Sequence, residues 1–380
     1  FRRVLFRSFV PSDIFTSAVV IDLKEIAENL SDDGLVFDVF ASTRAFLNFN
    51  INEHFRFGLF AGVSASGFLN MEKDLFTFLG KGFGTDIDKT FDITGYCDVF
   101  ADIGVSVHTK LFDTYGLTIV PSYVMPVVYM DDAQATAHIT TTKKGLIKAE
   151  AKAPISLHTG IDIQKYVDGG FSSSDISSDI GSLLATGGFD LSLALERTVL
   201  KRLDVGVFTR IPIVPGRMDY LMTESVTAYF YEENLLGELL DAKKKSTRRT
   251  RYHLGSPEYT KTDTKYVFRP FRLGAEAAWR PFGAWCVFRP KIALVARHPY
   301  SASVIFYPEY ALDAHLALFN IVGITVGTAY EDRIFVQRVG LMLNVHAVQL
   351  DIQSMFRSAR FVNSFGFSGA GVYVGLRIGW

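Results

Sequence analysis

The sequence has no uninterrupted apolar run long enough to cross a membrane as a helix, because Arg, Lys, Asp or Glu interrupts every apolar stretch. Nevertheless, 48% of its 380 residues are hydrophobic, and the chain contains 33 Phe and 16 Tyr. A chain this apolar without such a helix indicates that its apolar residues are spread over many strands. The composition therefore favours an all-β protein.

Surplus charge and clustered metal ligands are also missing. The formal net charge is -1, and no nucleic-acid partner is expected because such binding needs a surplus of Lys and Arg. A disulfide between the 2 cysteines, Cys97 and Cys286, is one interpretation, and two lipid-facing or packed thiols are the favoured one. The histidines lack metal-ligand spacing, and the chain has neither a phosphate-binding loop nor a dinucleotide fingerprint. We therefore predict no cofactor and no metal site.

The first residues set the predicted domain boundaries. The chain begins without Met, and the FRRVLFRS of residues 1–8 is typical of a translated sequencing adapter, so we interpret it as a non-native artefact. Residues 9–33 are then a truncated N-terminal segment that forms either a plug or a first strand. Residues 34–380 are predicted to form one transmembrane β-barrel.

The last residues, 366–380, have a period of two. Mostly apolar residues at even positions alternate with Gly, Tyr and Arg at odd positions, which predicts a strand with a lipid-facing and a lumen-facing side. Tyr373 and Arg377 are expected to face inward. With its terminal aromatic residue, this segment resembles the closing strand of bacterial outer-membrane β-barrels. The resemblance implies that the barrel-assembly machinery recognises the outward series Val374, Leu376, Ile378 and Trp380.

The same alternation recurs along most of the chain. Apolar residues from Leu35 to Phe49 and from Phe55 to Ala65 alternate with polar ones, which predicts a hairpin of two long strands. Such segments predict a single antiparallel transmembrane barrel of about 14 strands, in a range of about 12 to 16, with an even number expected. Short helical insertions are expected at residues 73–82 and 180–184, and a long irregular loop at residues 232–266.

A soluble all-β protein is the alternative, because one face of an antiparallel sheet is also buried in such proteins. Three features favour a membrane protein. Many predicted strands are long enough for a tilted span, short turns alternate with longer ones, and the polar faces carry charges of both signs that suit a wet lumen. We therefore predict an outer-membrane protein of a diderm bacterium, with outer-membrane lipids among its partners.

The order of elements, with its short helical interruptions, resembles the long-chain fatty-acid channel family of outer-membrane proteins and related uncharacterised barrels. This resemblance covers most of the chain and rests on architecture. It implies a passive channel for hydrophobic small molecules, such as fatty acids or aromatic compounds, behind an N-terminal plug.

One residue pattern independently favours such a substrate: several aromatic side chains share the lumen-facing parity with polar ones. An aromatic wall holds an acyl chain or an aromatic compound, and an arginine holds its carboxylate. We predict a substrate-lining wall that comprises Phe40, Arg44, Phe46, Phe60, Phe68, Phe100, Phe208, Arg210, Tyr307 and Phe319. The alternative, that these side chains fill the interior or pack on a plug, stays open at this point.

Other functions are weaker alternatives. A general porin is expected to have a mostly charged lumen, and a structural or surface-exposed barrel has no transport role. A hydrolase is a remote alternative that rests on Asp313 and His315, which lie two residues apart without a nucleophile or an oxyanion site, so we predict no enzyme.

The basic run from Lys243 to Arg251 is either a solvated loop or a contact for lipopolysaccharide phosphates.

Overall fold

The computed structural model describes residues 34–75, 77, 88–112, 114–141, 147–163, 173–233, 247–254, 258–302, 304–318, 321–345, 347–365 and 369–379. The predicted artefact at residues 1–8 and the predicted plug or first strand at residues 9–33 lie outside these ranges. Phe319 and Trp380 lie outside them as well.

Most of the described residues form strands. In chain order these are β1 (Leu35–Asn50), β2 (Phe55–Met71), β3 (Asp88–Leu111), β4 (Tyr115–Thr141), β5 (Ile147–Thr159), β6 (Gly188–Leu200), β7 (Leu203–Val214), β8 (Gly216–Glu233), β9 (Thr247–Leu254), β10 (Glu258–Val267), β11 (Phe271–Trp279), β12 (Cys286–Arg297), β13 (Ile305–Leu318), β14 (Val322–Glu331), β15 (Ile334–Val345), β16 (Val348–Ser358) and β17 (Gly369–Gly379). Helix α1 (Ser173–Thr186) includes the insertion predicted at residues 180–184 and extends it. Residues 73–75 and 77 are also helical, and a 3-10 helix (Asn363–Phe365) precedes β17.

Within the described ranges, 13 strands form a closed barrel. The ring follows the order β1, β2, β3, β4, β6, β7, β11, β12, β13, β14, β15, β16 and β17, and these successive pairs are antiparallel. The ring closes through β17 and β1, which are parallel from Val39 opposite Ala370 to Asn48 opposite Gly379.

The all-β barrel is therefore confirmed, with a strand number inside the predicted range. The expected even number is not found, and the barrel is mixed rather than purely antiparallel. The two departures have one cause. In a ring whose strands alternate in direction, an odd number leaves the first and last strands pointing the same way, so their pairing must be parallel.

Strands β5, β8, β9 and β10 lie outside the ring and extend its wall at one end. Strand β4 has 27 residues, and its first part pairs with β6 while its last part pairs with β5. Strand β5 pairs with β8, which in turn pairs with β9 and β10. Pro215 separates β7 from β8, and residues 268–270 separate β10 from β11. A proline cannot donate to the strand ladder, which explains the break at Pro215.

The prediction of an irregular loop at residues 232–266 is wrong for much of its length, because β9 and β10 occupy residues 247–254 and 258–267. Both strands are rich in Thr and charged residues, so apolar alternation does not reveal them, although Thr favours extended backbone. In the basic run, residues 243–246 lie outside the described ranges, and the remainder belongs to β9.

The two cysteines are free thiols. Cys286 opens β12, whereas Cys97 lies in the middle of β3, and β4, β6, β7 and β11 separate these two strands in the ring. The favoured interpretation of two separate thiols is therefore confirmed over a disulfide.

The barrel wall has an apolar outer face and a polar inner face. On β1, the side chain of Val39 is 62% exposed, whereas its neighbour Asp38 is 3% exposed. Exposed aliphatic side chains recur around the ring at Leu59, Val63, Leu273, Ile292, Leu312, Val326, Val339, Ile352 and Val372. An apolar surface of this extent marks contact with lipid or with another protein. The predicted separation of apolar from polar residues is thus found in the folded chain.

The two ends of the barrel differ. We call the end with the turns at residues 51–54 and 201–202 the short-turn end, and the end with residues 298–302 and 359–365 the long-turn end. Exposed aromatic side chains occur at both: Phe112, Trp279, Phe282 and Trp285 at the short-turn end, and Tyr266, Tyr300, Phe306, Phe361 and Phe365 at the long-turn end. Aromatic belts flank the apolar band of transmembrane barrels in this way.

Candidate functional site

The predicted substrate-lining residues are distributed along the inner face of the barrel. Nearest the short-turn end, the ring centroids of Phe46 and Phe60 are 5.9 Å apart. The guanidinium carbon of Arg44 lies 5.2 Å from the Phe60 centroid, and that of Arg377 lies 5.5 Å from the Phe46 centroid. These aromatic rings therefore contact cations, and Arg377 faces inward as predicted.

Nearer the long-turn end, two further predicted aromatics lie beside cations. Phe68 stacks on Tyr96 with centroids 5.5 Å apart, and the Arg297 guanidinium lies 4.0 Å from the Tyr96 centroid. The Arg357 guanidinium lies 5.4 Å from the Phe40 centroid. Each such contact contributes about 0.5 to 2 kcal/mol, with the larger value where water is excluded.

Phe100 on β3 and Phe208 on β7 follow the same pattern. The Arg269 guanidinium lies 5.6 Å from the buried ring of Phe100, and the Lys291 ammonium lies 5.0 Å from the Phe208 ring. The aromatic side chains thus fill space between charged groups, as the alternative interpretation expected. Their contact with a substrate stays a prediction.

The two arginines predicted to bind a carboxylate have partners within the protein. An Arg44 nitrogen lies 2.5 Å from an oxygen of Asp102. Arg210 donates from Nε and Nη2 to the carbonyl oxygen of Pro270, at 3.2 and 3.0 Å. A substrate carboxylate would have to compete with Asp102 for Arg44, which makes Arg44 a structural cation in this conformation.

Four ion pairs connect distant parts of the inner wall, and sequence reasoning missed all of them. We call them the ion-pair layer, which comprises Asp98 with Arg297 at 3.3 Å, Asp102 with Arg44 at 2.5 Å, Asp102 with Arg269 at 3.1 Å, and Asp190 with Arg269 at 3.7 Å. The alternation of charged and apolar residues in the sequence predicts that these charged side chains face inward. It does not predict which charges pair, because Asp98 and Arg297 are 199 residues apart.

A second charged cluster lies on β11, β13 and the turn after β14. Arg272 lies 3.0 Å from Glu309 and 3.8 Å from Asp332, and Glu309 is only 2% exposed. The hydroxyl of Tyr307, another predicted wall residue, donates to Asp332 at 2.7 Å. Further inward pairs join Arg338 to Asp313 and Glu331, and Arg357 to Asp38. Charges removed from water need such partners, so the loss of either member of a pair would leave an uncompensated buried charge.

A cavity of about 550 Å³ lies at the long-turn end, between Tyr129 of β4, the β10 segment and the residues that follow β12. Its lining is Tyr129, Lys265, Tyr266, Val267, Phe268, His298, Pro299, Tyr300, Ser301 and Ile305. The Tyr129 hydroxyl and His298 Nδ1 are 3.1 Å apart, and the rings of Phe268 and Tyr300 meet edge to face at 5.1 Å. A small set of polar groups in an aromatic cavity of this size is typical of small-molecule sites.

Sequence reasoning did not find this cavity. Its residues come from three segments that neither periodicity nor a motif connects, and part of the β10 segment falls in the loop predicted at residues 232–266. The one local signal is the density of aromatic residues in the run from Tyr266 to Phe271, which contains Phe268. The aromatic run predicts a cavity only together with the pairing of β10 with β8, which the sequence does not show.

Tight packing around Gly104 leads to a prediction about stability. A Cβ atom at Gly104 would lie 2.4 Å from the ring of Phe60 and 2.7 Å from the carbonyl oxygen of Pro121, whereas at Gly67 the nearest atom, the carbonyl oxygen of Tyr96, would be 3.9 Å away. We expect Gly104→Ala to lower the free energy of unfolding by about 1 to 3 kcal/mol, as overpacking does. Gly67→Ala is the matched control and should leave it nearly unchanged. Urea unfolding in lipid vesicles measures both, and equal midpoints would contradict the packing described.

The closing strand has the orientation that its pattern predicted. Leu376 lies on the outer face and is 37% exposed, and it pairs with Ala45 of β1 and Leu350 of β16. Tyr373 lies inward, because its hydroxyl is 2.5 Å from where a Cβ atom of Gly375 would be. Val374 and Ile378 share the parity of Leu376. Recognition of this series by the assembly machinery stays a prediction.

Asp313 and His315, the pair behind the hydrolase alternative, have different partners. Asp313 lies 3.3 Å from Arg338, and His315 Nδ1 lies 3.1 Å from the Thr325 hydroxyl. In a catalytic triad the carboxylate orients the imidazole. These contacts instead tie His315 to the neighbouring strand β14 and Asp313 to β15, one strand farther along the ring.

In the part of the chain that the structure describes, no helix has both the length and the apolarity needed to cross a bilayer. Among the same residues, no group of three or more His, Cys, Asp or Glu side chains is placed to hold a metal ion. No known family model and no curated protein matches this chain. The resemblance to the long-chain fatty-acid channel family therefore stays a prediction from the order of elements.

Proposed function

We propose that the protein is an integral outer-membrane barrel of a diderm bacterium. The exposed aliphatic band and the aromatic belts at both ends support this location, because water would otherwise cover an extensive apolar surface. The outer-membrane lipids are then its main partners, and the barrel-assembly machinery would recognise β17.

Within that membrane, we propose that the barrel is a passive channel for hydrophobic small molecules. The observation that carries this proposal is the aromatic cavity at the long-turn end, where Tyr129, Phe268 and Tyr300 supply apolar surface and Lys265 and His298 supply polar groups. Its volume of about 550 Å³ matches the size range of small-molecule sites. An acyl chain or an aromatic ring fits this lining, and Lys265 suits an acidic headgroup.

The inner face is charged, as expected for a general porin, but the burial of its charges favours a hydrophobic channel over a porin. A porin keeps a water-filled channel through its length. Here Asp102, Asp190 and Glu309 are each at most 3% exposed, although all three lie on the inner face. Closely paired charges occupy the space that hydrated solutes would need.

Transport is tested with liposomes that contain the purified barrel. An acyl sulfonate is a suitable probe because it stays ionised and crosses bare lipid slowly. We expect it to enter faster than a disaccharide of similar size, and liposomes without protein provide the background. Equal entry of the sugar would indicate a porin, and entry of neither compound would indicate a structural barrel.

Binding to the cavity is tested by removing its ammonium group. We expect Lys265→Met to weaken binding of an acyl sulfonate about tenfold or more, since a hydrogen bond to a charged group contributes about 1.5 to 3 kcal/mol. Binding of the neutral alcohol with the same chain should not change. Lys110→Met, at the short-turn end, is the matched control. An equal loss for alcohol and sulfonate would mean that Lys265 does not meet the headgroup.

Lipopolysaccharide is a further proposed partner. The basic run from Lys243 to Arg251 supports it, because phosphates bind clustered Lys and Arg. Strand β9, which contains the later part of the run, pairs with β8 beyond the ring at the long-turn end. We propose that this end faces the outer leaflet, because outer-membrane barrels carry their longer loops on the extracellular side.

A further inference from the structure

The ion-pair layer spans the lumen rather than following the wall. Asp98 lies on β3 and Arg297 on β12, and four strands of the ring separate them on the shorter side, namely β4, β6, β7 and β11. Their side chains nevertheless meet at 3.3 Å. Two walls on opposite sides of the barrel are therefore connected through its interior.

Arg269 provides the second connection. It lies in the break between β10 and β11, and it reaches Asp102 on β3 at 3.1 Å and Asp190 on β6 at 3.7 Å. The planar guanidinium fork of arginine suits contact with two carboxylates at once. Residues 268–270 also connect β10, which lies outside the ring, to β11, which belongs to it. Arg269 therefore lies at the junction of these two parts of the structure.

Burial shows that water is largely excluded at this level. Asp102 is 3% exposed, Asp190 is 2% exposed and Arg269 is 9% exposed. The ring of Phe100 lies beside Arg269, and the Tyr96 ring lies against Arg297. Charged groups and aromatic rings therefore pack together around Arg269 and Arg297.

The layer lies between the aromatic cavity and the remainder of the lumen. Tyr129 and Val267 line the cavity, and both also pack in one buried cluster with Phe100. Arg269 lies over Phe100 and binds Asp102. Arg44 of β1, which also pairs with Asp102, completes the layer. A molecule that moved from the cavity through the barrel would have to cross the layer.

We propose that the ion-pair layer is the gate of the channel, and that Arg297 and Arg269 must release their aspartates before anything crosses. This inference rests on the proposed channel function. Opening exchanges buried pairs for hydrated charges, so the closed state excludes ions and water while the pairs hold. Asp102 and Asp190 give Arg269 two alternative acceptors, which allow it to shift without losing every partner.

The test is ion conductance of the purified barrel in a planar lipid bilayer, without any hydrophobic ligand. We expect little conductance from the wild type. Asp98→Asn and Arg297→Gln should each raise it by about tenfold or more, because an unpaired charge at a constriction draws in water. The double variant Asp98→Arg with Arg297→Asp restores opposite charges and should return conductance toward the wild-type level.

Arg280→Gln is the matched control. It removes an ion pair of 2.6 Å with Asp204 that joins neighbouring strands at the short-turn end, and it should leave conductance unchanged. If the single variants fail to fold, Arg269→Lys keeps the charge without the fork and should give partial leakage. Persistent conductance of the wild type would overturn the gate, as would variants that conduct no more than the wild type.

The two proposals fail separately. If breaking the pairs opens an ion pathway but the acyl sulfonate never crosses, the results support the gate and contradict transport of a hydrophobic substrate. If the sulfonate passes through the wild type and all variants at the same rate, and conductance does not change, the results support the channel and contradict the gate.

Discussion

Arginine in place of Ile352 is expected to prevent the barrel from inserting into a lipid bilayer, whereas arginine at the next residue, Gln353, should be accepted. Ile352 lies in the middle of β16 and is 44% exposed on the outer face, between Leu341 and Val374. An arginine at a lipid-facing site near the bilayer midplane costs about 2 to 4 kcal/mol. Gln353 faces inward and donates to Asp351 at 3.2 Å, so an arginine there gains a carboxylate partner.

Insertion into vesicles is measured by the change in gel mobility between heated and unheated samples, which distinguishes folded barrels from unfolded chains. The pair Leu376→Arg and Arg377→Leu repeats the comparison on β17, with Leu376 outward and Arg377 inward. A smaller effect is expected at Leu376, because β17 ends three residues later and the site lies nearer the interface. Equal insertion of Ile352→Arg and Gln353→Arg would contradict a lipid-facing outer wall.

Glu309→Gln is expected to lower the free energy of unfolding by about 3 to 5 kcal/mol, because it removes the nearer carboxylate partner of Arg272 from a buried site. Arg272 lies 3.0 Å from Glu309 but 3.8 Å from Asp332. Glutamine keeps the shape of the side chain and removes only its charge. The loss is therefore electrostatic rather than a loss of packing.

Asp204→Asn is the matched control for that experiment. Its pair with Arg280 is shorter, at 2.6 Å, but it is partly exposed at the short-turn end. Ion pairs in contact with water contribute about 0 to 1 kcal/mol. Urea unfolding in vesicles gives both values, and a larger loss for Asp204→Asn than for Glu309→Gln would show that burial does not set the strength of these pairs.

The period of two allowed the sequence to predict the faces of the wall. It predicts Leu376 on the outer face and Tyr373 and Arg377 on the inner face, as the structure has them. Alternation is a local property, since successive side chains of a strand point to opposite sides. This pattern does not predict β9 and β10, because polar residues occupy both of their faces and no alternation of apolar with polar residues is visible.

The strand arrangement was less predictable. Whether β5 lies in the ring or outside it depends on which half of β4 it pairs with, and it pairs with the last half. The parallel contact between β1 and β17 depends in turn on the number of strands in the ring. The sequence predicts neither pairing, because the same alternation of apolar and polar residues is compatible with a parallel and with an antiparallel neighbouring strand.

The sequence by itself determined that this protein is a β-barrel with an apolar outside and a charged, aromatic inside, because each strand encodes its two faces locally. Only the tertiary structure decided which inward charges meet. Arg297 binds Asp98 and Arg269 binds Asp102 across the lumen because ring closure brings distant strands within hydrogen-bond distance. The same closure places Tyr129, Phe268 and Tyr300 around one cavity. Pairing energy depends on distance and burial, and both are set by the closed ring rather than by position in the chain.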